Sequence, residues 1–200
     1  QMTLNPEDWA DNRTTKELSA IDLDLFEGRF VAHLQACRAA GVVIDAIGAG
    51  NEFDSHGFNG AVPASGLVAD ADLPFHAAAY ARWLERVVAV AHRPEFYPAA
   101  QIWAGPVANI RGVVTNGFMR NPGRRFALLQ DIDGKNYYDL IDRLTFNIYP
   151  ALTDDMGVFI PERLRKFAND AEWPSPLICT EWGFANQYFT ETTGLKRTRY

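Results

Sequence analysis

The chain has only two cysteines in 200 residues, Cys37 and Cys179. One falls on a predicted helix and one on a predicted strand, so they make no disulfide framework, and no CxxC or His/Cys spacing marks a zinc site. No apolar run approaches the roughly 18 residues of a membrane span, so no membrane partner is expected. A basic stripe is missing too. The net charge is -6 with both signs mixed along the chain, which argues against a nucleic-acid partner. No GxGxxG or GxxxxGK[ST] opens any predicted helix, so a nucleotide-binding sheet lacks its main warrant. An initiator methionine, a signal peptide and a closing element after Lys196 are also absent. We therefore expect a portion of a longer protein, with localisation and oligomeric state left open.

What is present is core material, 48% hydrophobic residues, enough for one sizeable core. Helical and strand patterns alternate. Phe26, Phe30, Leu34 and Cys37 recur at helical spacing behind Asp24, which with Glu27 resembles a capping box, and Gly41 supplies a left-handed stop. A second helix is predicted from about Pro74 to His92. Phe75, Ala79, Trp83, Val87 and Val90 form its buried stripe, with Arg82, Glu85 and Arg86 on the solvated face. Weaker helical pieces precede Asp133 and cover 137–143 and 161–169. Strands are predicted at about 42–49, 99–104, 144–149 and 176–181. Alternation of this kind implies a parallel sheet with crossover helices. A closed eight-stranded barrel takes about 250 residues, so the pattern leaves two architectures, part of a barrel or a small open sheet.

Two strands end alike. Val42-Val43-Ile44-Asp45-Ala46-Ile47-Gly48-Ala49-Gly50 delivers Asn51-Glu52, and Pro176-Leu177-Ile178-Cys179-Thr180 delivers Glu181-Trp182. A carboxylate at the C-terminal end of a parallel strand stands where (β/α) barrels hold their chemistry. A Gly/Pro/Ser/Asn-rich loop over 53–72, with His56 and Asn59, follows the first glutamate, and loops of that length in compact domains are commonly functional.

Strand-Gly-Ala-Gly-Asn51-Glu52 resembles the Asn-Glu signature of the clan of retaining glycoside hydrolases with (β/α)8 barrels, the cellulase-like glycosidases. Thr180-Glu181-Trp182-Gly183 resembles the nucleophile motif of that clan. There the acid/base glutamate ends strand 4 and the nucleophile ends strand 7. Two strands, near Trp103 and Tyr149, lie between the two glutamates here, the count the clan requires. Asn147-Ile148-Tyr149-Pro150 resembles the strand-6 end, where a tyrosine often hydrogen-bonds the nucleophile. A histidine is common two residues before that tyrosine, and this chain has Asn147 instead. The resemblance covers about 25–184. It implies an α/β fold, a partial (β/α)8 TIM barrel holding strands 4 to 7, with the tail of strand 3 near Met2 to Leu4.

The implied activity is cleavage of O-glycosidic bonds in a β-linked oligo- or polysaccharide by a retaining mechanism, without cofactor or metal. Retention needs two carboxyl groups about 5–5.5 Å apart, one donating a proton and one attacking the anomeric carbon. Glu52 is the expected acid/base and Glu181 the nucleophile. Asn51 is expected on the sugar 2-hydroxyl, Tyr149 on Glu181, Trp182 and Trp103 against sugar faces, and His56 within reach from its loop. Two other readings stand beside this one: a barrel that binds sugar without cleaving it, and a metal-dependent hydrolase using Glu52, Asp54 and His56.

Overall fold

In a computed structural model that describes residues 2–4, 17–63, 68–107, 122–148 and 156–182, the first long helix is α1 (Leu23–Ala39), capped by Asp22. The Asp22 carboxylate accepts from the amides of Asp24 and Leu25, at 3.1 and 2.9 Å, which satisfies two of the orphan donors of the first turn. The cap therefore lies two residues before the expected Asp24–Glu27 box. Glu27 is drawn away to Arg86 (2.6 Å) and Arg93. Hydrogen bonds from Arg93 first, then Arg86, hold its carboxyl below the ordinary carboxylate range.

Gly41, at φ +70°, turns the chain out of α1. The strand β2 (Ala46–Ala49) then proves shorter than the predicted 42–49. Val42 and Val43 are 45% and 78% exposed. They carry the chain from the helix end to the sheet, and the Tyr97 hydroxyl holds this stretch by donating to the Val42 carbonyl (2.8 Å). An apolar run alone does not separate a strand from the segment leading into it.

Helix α2 (Leu73–Ala91) carries Pro74 in its first turn, where the missing N–H costs nothing. Ala79, Trp83, Val87 and Val90 are buried as predicted, but Phe75 is 57% exposed. The inward position one turn before Ala79 and Tyr80 belongs to His76. Arg86 and Glu85 do more than face solvent. Arg86 pairs with Asp24 and Glu27 of α1, and Glu85 pairs with Lys135.

The rest follows as β3 (Gln101–Val107), the short α3 (Pro122–Ala127), β4 (Arg143–Ile148), α4 (Met156–Asp170) and β5 (Leu177–Trp182). The helix expected over 137–143 is a single 3-10 turn, Tyr137–Leu140, and β4 begins at Arg143. Pro161 lies inside α4 and does not start it.

All five strands, with β1 (Met2–Leu4) first, form one parallel sheet in the order β1-β2-β3-β4-β5. The molecule is a mixed α/β structure with helices between successive strands. Ile47, Ala49, Ile102, Ala104, Leu144 and Phe146 join Phe26, Phe30, Trp83 and Leu84 in one core. Among the described residues no helix is long and apolar enough to cross a membrane.

The ladder is irregular only near the C-terminal ends of the strands. Register shifts occur between Ala104 and Val107 of β3 and between Phe146 and Asn147 of β4. Strands β2 and β3 part after the pair Ala49–Ala104, and a side chain fills the gap. The Tyr80 hydroxyl donates to the Ala49 carbonyl (2.7 Å) and accepts from the Gly105 amide (2.9 Å). Gly105 permits the approach, because a Cβ there would lie 2.4 Å from the Ala49 oxygen.

Candidate active site

The chain leaves β2 through Gly50, whose φ of +103° needs a glycine, and reaches Glu52 at φ +44°. A left-handed conformation costs a non-glycine residue about 1–2 kcal/mol, and such strain clusters where surroundings impose it. The surroundings here are visible. The Glu52 amide donates to the Pro106 carbonyl of β3 (2.7 Å), and the Glu52 carbonyl accepts from Ser55 (2.8 Å). The turn is thus pinned to the next strand on one side and closed on itself on the other.

The Glu52 side chain reaches across to β4. Asn147 Nδ2 donates to Glu52 Oε1 at 2.8 Å. Asn147 is fully buried, and its Oδ1 accepts from the Thr180 hydroxyl of β5, also at 2.8 Å. The Thr180 oxygen lies 3.2 Å from the Phe146 carbonyl as well. At the register shift the Cα partner of Asn147 is Glu181, while Phe146 pairs with Cys179. Thr180 and Glu181 therefore both stand against Asn147, the arrangement of a β-bulge, which bends a strand and re-aims its side chains. Ladder neighbours lie about 4.8 Å apart. Asn147 thus binds one glutamate and stands next in the sheet to the other. Glu181 itself is exposed.

Beneath the Glu52 turn lies a buried polar layer. Asn59 Nδ2 donates to the Phe53 carbonyl (3.0 Å), and its Oδ1 accepts from the amides of Leu18 and Ala61. Arg125 of α3 is buried with its guanidinium 5.7 Å over the Phe53 ring, and its Nε has no hydrogen-bond partner. Burial lowers the Arg125 pKa while the Asp54 charge raises it. His76 is pushed down to about 4, by burial first and then by the Arg125 charge, with Asp72 acting in the opposite sense.

The remaining sequence-predicted residues are placed as follows. Asn51 is half-buried in the same turn. His56 is exposed and its Nδ1 sits 2.6 Å from the Val62 carbonyl of its own loop. Trp103 is not brought to the glutamates. The strand runs on to Val107, so Trp103 is its third residue, about 13 Å short of the strand end. Its Nε1 donates to Gln101 (3.0 Å), and it lines a cavity of about 780 Å³ with Arg38, Asp45 and Tyr97 at the opposite end of the sheet. Tyr149 lies outside the described residues. Trp182 closes β5, and its side chain is likewise outside them. Among the described residues no three His, Cys, Asp or Glu side chains converge on a cation-sized space. Glu52, Asp54 and His56 in particular turn to Asn147, to the Arg125 layer and to Val62.

Tyr80 and Arg125 had no place in the sequence reading of the site, Thr180 entered it only as part of the motif around Glu181, and Asn147 only as a departure from histidine. One signal was available: an asparagine inside Leu-Thr-Phe-Asn-Ile is out of character for a buried strand. No protein-family model matches the chain, and no curated protein or solved structure gives a significant match.

Proposed function

We propose that this chain carries strands 4 to 7 of a (β/α)8 barrel and the catalytic pair of a retaining glycoside hydrolase acting on a β-linked oligo- or polysaccharide. The observation that carries the reading is Asn147, which bonds Glu52 (2.8 Å) and is the register partner of Glu181. Of two strand-end glutamates three strands apart in the chain, one is thus bonded to Asn147 by its side chain and the other stands beside it in backbone register. Parallel order along the sheet and the strained Glu52 backbone support the same reading.

In this mechanism a Glu181 carboxylate oxygen attacks the anomeric carbon. The bond to the leaving oxygen breaks as Glu52 gives that oxygen its proton. Water then attacks the glycosyl-enzyme ester, Glu52 takes the water proton, and Glu181 leaves as carboxylate. Two inversions give net retention.

The test is the anomeric configuration of the product formed with azide. Glu52→Ala should keep part of its glycosylation rate with a nitrophenyl glycoside, because that leaving group needs little protonation. Azide should then restore turnover and give a glycosyl azide of the substrate's configuration. Glu181→Ala should fall by at least about 10⁴-fold, with any azide product of opposite configuration. The same configuration from both variants, or no loss in either, would overturn the roles. Tight sugar binding with no hydrolysis by the unmodified protein would favour the binding barrel instead.

A further inference from the structure

Asn147 is an amide, and an amide presents a donor at one end and an acceptor at the other. Which end faces Glu52 matters. With the NH2 toward Glu52, Oε1 is occupied as an acceptor in both ionisation states, and any proton on the carboxyl sits on Oε2. With the amide turned over, its oxygen would take up a proton from Oε1 and withhold it from substrate. Nothing in the shape of the side chain chooses between these, since its two ends are nearly the same size. An ionised Glu52 only accepts and itself calls for the NH2, but once the carboxyl carries its proton it can bond either end of the amide, and the choice then falls to the group at the other end. That group is the Thr180 hydroxyl, 2.8 Å from Asn147 Oδ1.

We propose that Thr180 is a positioning residue: its hydroxyl proton fixes the Asn147 amide so that the NH2 holds Glu52 Oε1 and leaves Oε2 as the oxygen that exchanges a proton with substrate. This rests on the glycosidase reading for its catalytic meaning, though not for its geometry. Three observations carry it. The chain Thr180–Asn147–Glu52 is continuous, with both links at 2.8 Å. Asn147 is fully buried, so losing either partner leaves a polar atom of the amide away from bulk water. The register shift sets both Thr180 and Glu181 against Asn147, so the strand that delivers the proposed nucleophile also orients the proposed acid.

Two measurements test the inference. The first needs no activity. In proton–nitrogen NMR spectra the Asn147 side-chain amide should show one proton shifted downfield and slow to exchange. Thr180→Val should abolish that protection, and Thr180→Ser should keep it. The second compares leaving groups. Thr180→Val should lower kcat/KM, which reports the glycosylation step, by about 10- to 100-fold for an alkyl or sugar leaving group and leave kcat/KM for a dinitrophenyl glycoside within about twofold. An unchanged Asn147 resonance in Thr180→Val, or equal losses with both leaving groups, overturns the positioning role. The expected NMR result together with no hydrolysis of any glycoside would sustain the amide orientation and overturn the glycosidase reading.

Discussion

His76 shows what a single buried side chain does to stability. Its folded-state pKa is pushed down to about 4 from 6.5. Between those values the unfolded chain holds a proton that the folded chain does not. Stability from this source is therefore fully present above about pH 6.5 and declines as the pH falls toward 4. Below that it changes no further. The whole effect amounts to up to about 3 kcal/mol. Carboxylates titrate in the same window, so the informative quantity is the difference between variants. His76→Leu should flatten the slope of unfolding free energy against pH between 4 and 6.5, measured by urea titration. Parallel slopes in the two proteins would show that His76 does not carry it. The residue was invisible in the sequence because Phe75 is the more apolar neighbour. The phase of the helix, set by residues three and four further on, gave the inward position to the histidine. Glu52 and Glu181 stood out as candidates for the opposite reason, since a charged residue ending an apolar run is conspicuous whatever its neighbours. Trp103 misled because an aromatic marks a strand without marking how far the strand continues.

Elements were more legible than the joints between them. The long helices and the four predicted strands follow from apolar periodicity, which packing enforces over many residues. The joints depend on single hydrogen bonds from distant residues, and no local pattern encodes those. The parting of β2 and β3 is the clearest example, because the Tyr80 hydroxyl that fills it comes from α2. Tyr80→Phe leaves the Ala49 carbonyl and the Gly105 amide without that bridge in a buried place. The cost should be about 1–3 kcal/mol, read from the urea midpoint. Gly105→Ala should cost more, because its Cβ would meet backbone oxygen at 2.4 Å and the strands would have to separate. Overpacking of that kind costs about 1–3 kcal/mol even where side chains can give way, and backbone gives way less. If Gly105→Ala proved as stable as the unmodified protein, the close approach of the two strands would not be required in solution. Both substitutions should also disturb the Glu52 turn, since the Glu52 amide bonds Pro106, the residue after Gly105.

At the scale of the molecule the sheet is graded from its middle outward. Strand β3 has a neighbour on each side, and its Ile102 and Ala104 are fully buried. The start of the strand is tied further, because the Ile102 amide donates to the Asp142 carboxylate (2.7 Å) and the Asp142 amide donates back to the Ile102 carbonyl (2.8 Å). Strand β5 has one neighbour among the described residues, and its Cys179 and Glu181 are exposed. Local opening is easiest where buried contacts are few and backbone bonds face water. Hydrogen exchange followed by mass spectrometry should therefore show β3 amides exchanging only through global unfolding. Those of β5 should exchange at least about tenfold faster. The difference bears on function, because β5 carries Thr180 and Glu181, and a proposed nucleophile on a strand that opens more readily would need its partners to place it. Saturation with a β-linked oligosaccharide should slow β5 more than β3 if substrate contacts Glu181. Equal protection of the two strands without any ligand would mean that the outer side of β5 is paired as firmly as that of β3. The bulge at Asn147 would then have to position Glu181 against a rigid strand instead of a yielding one.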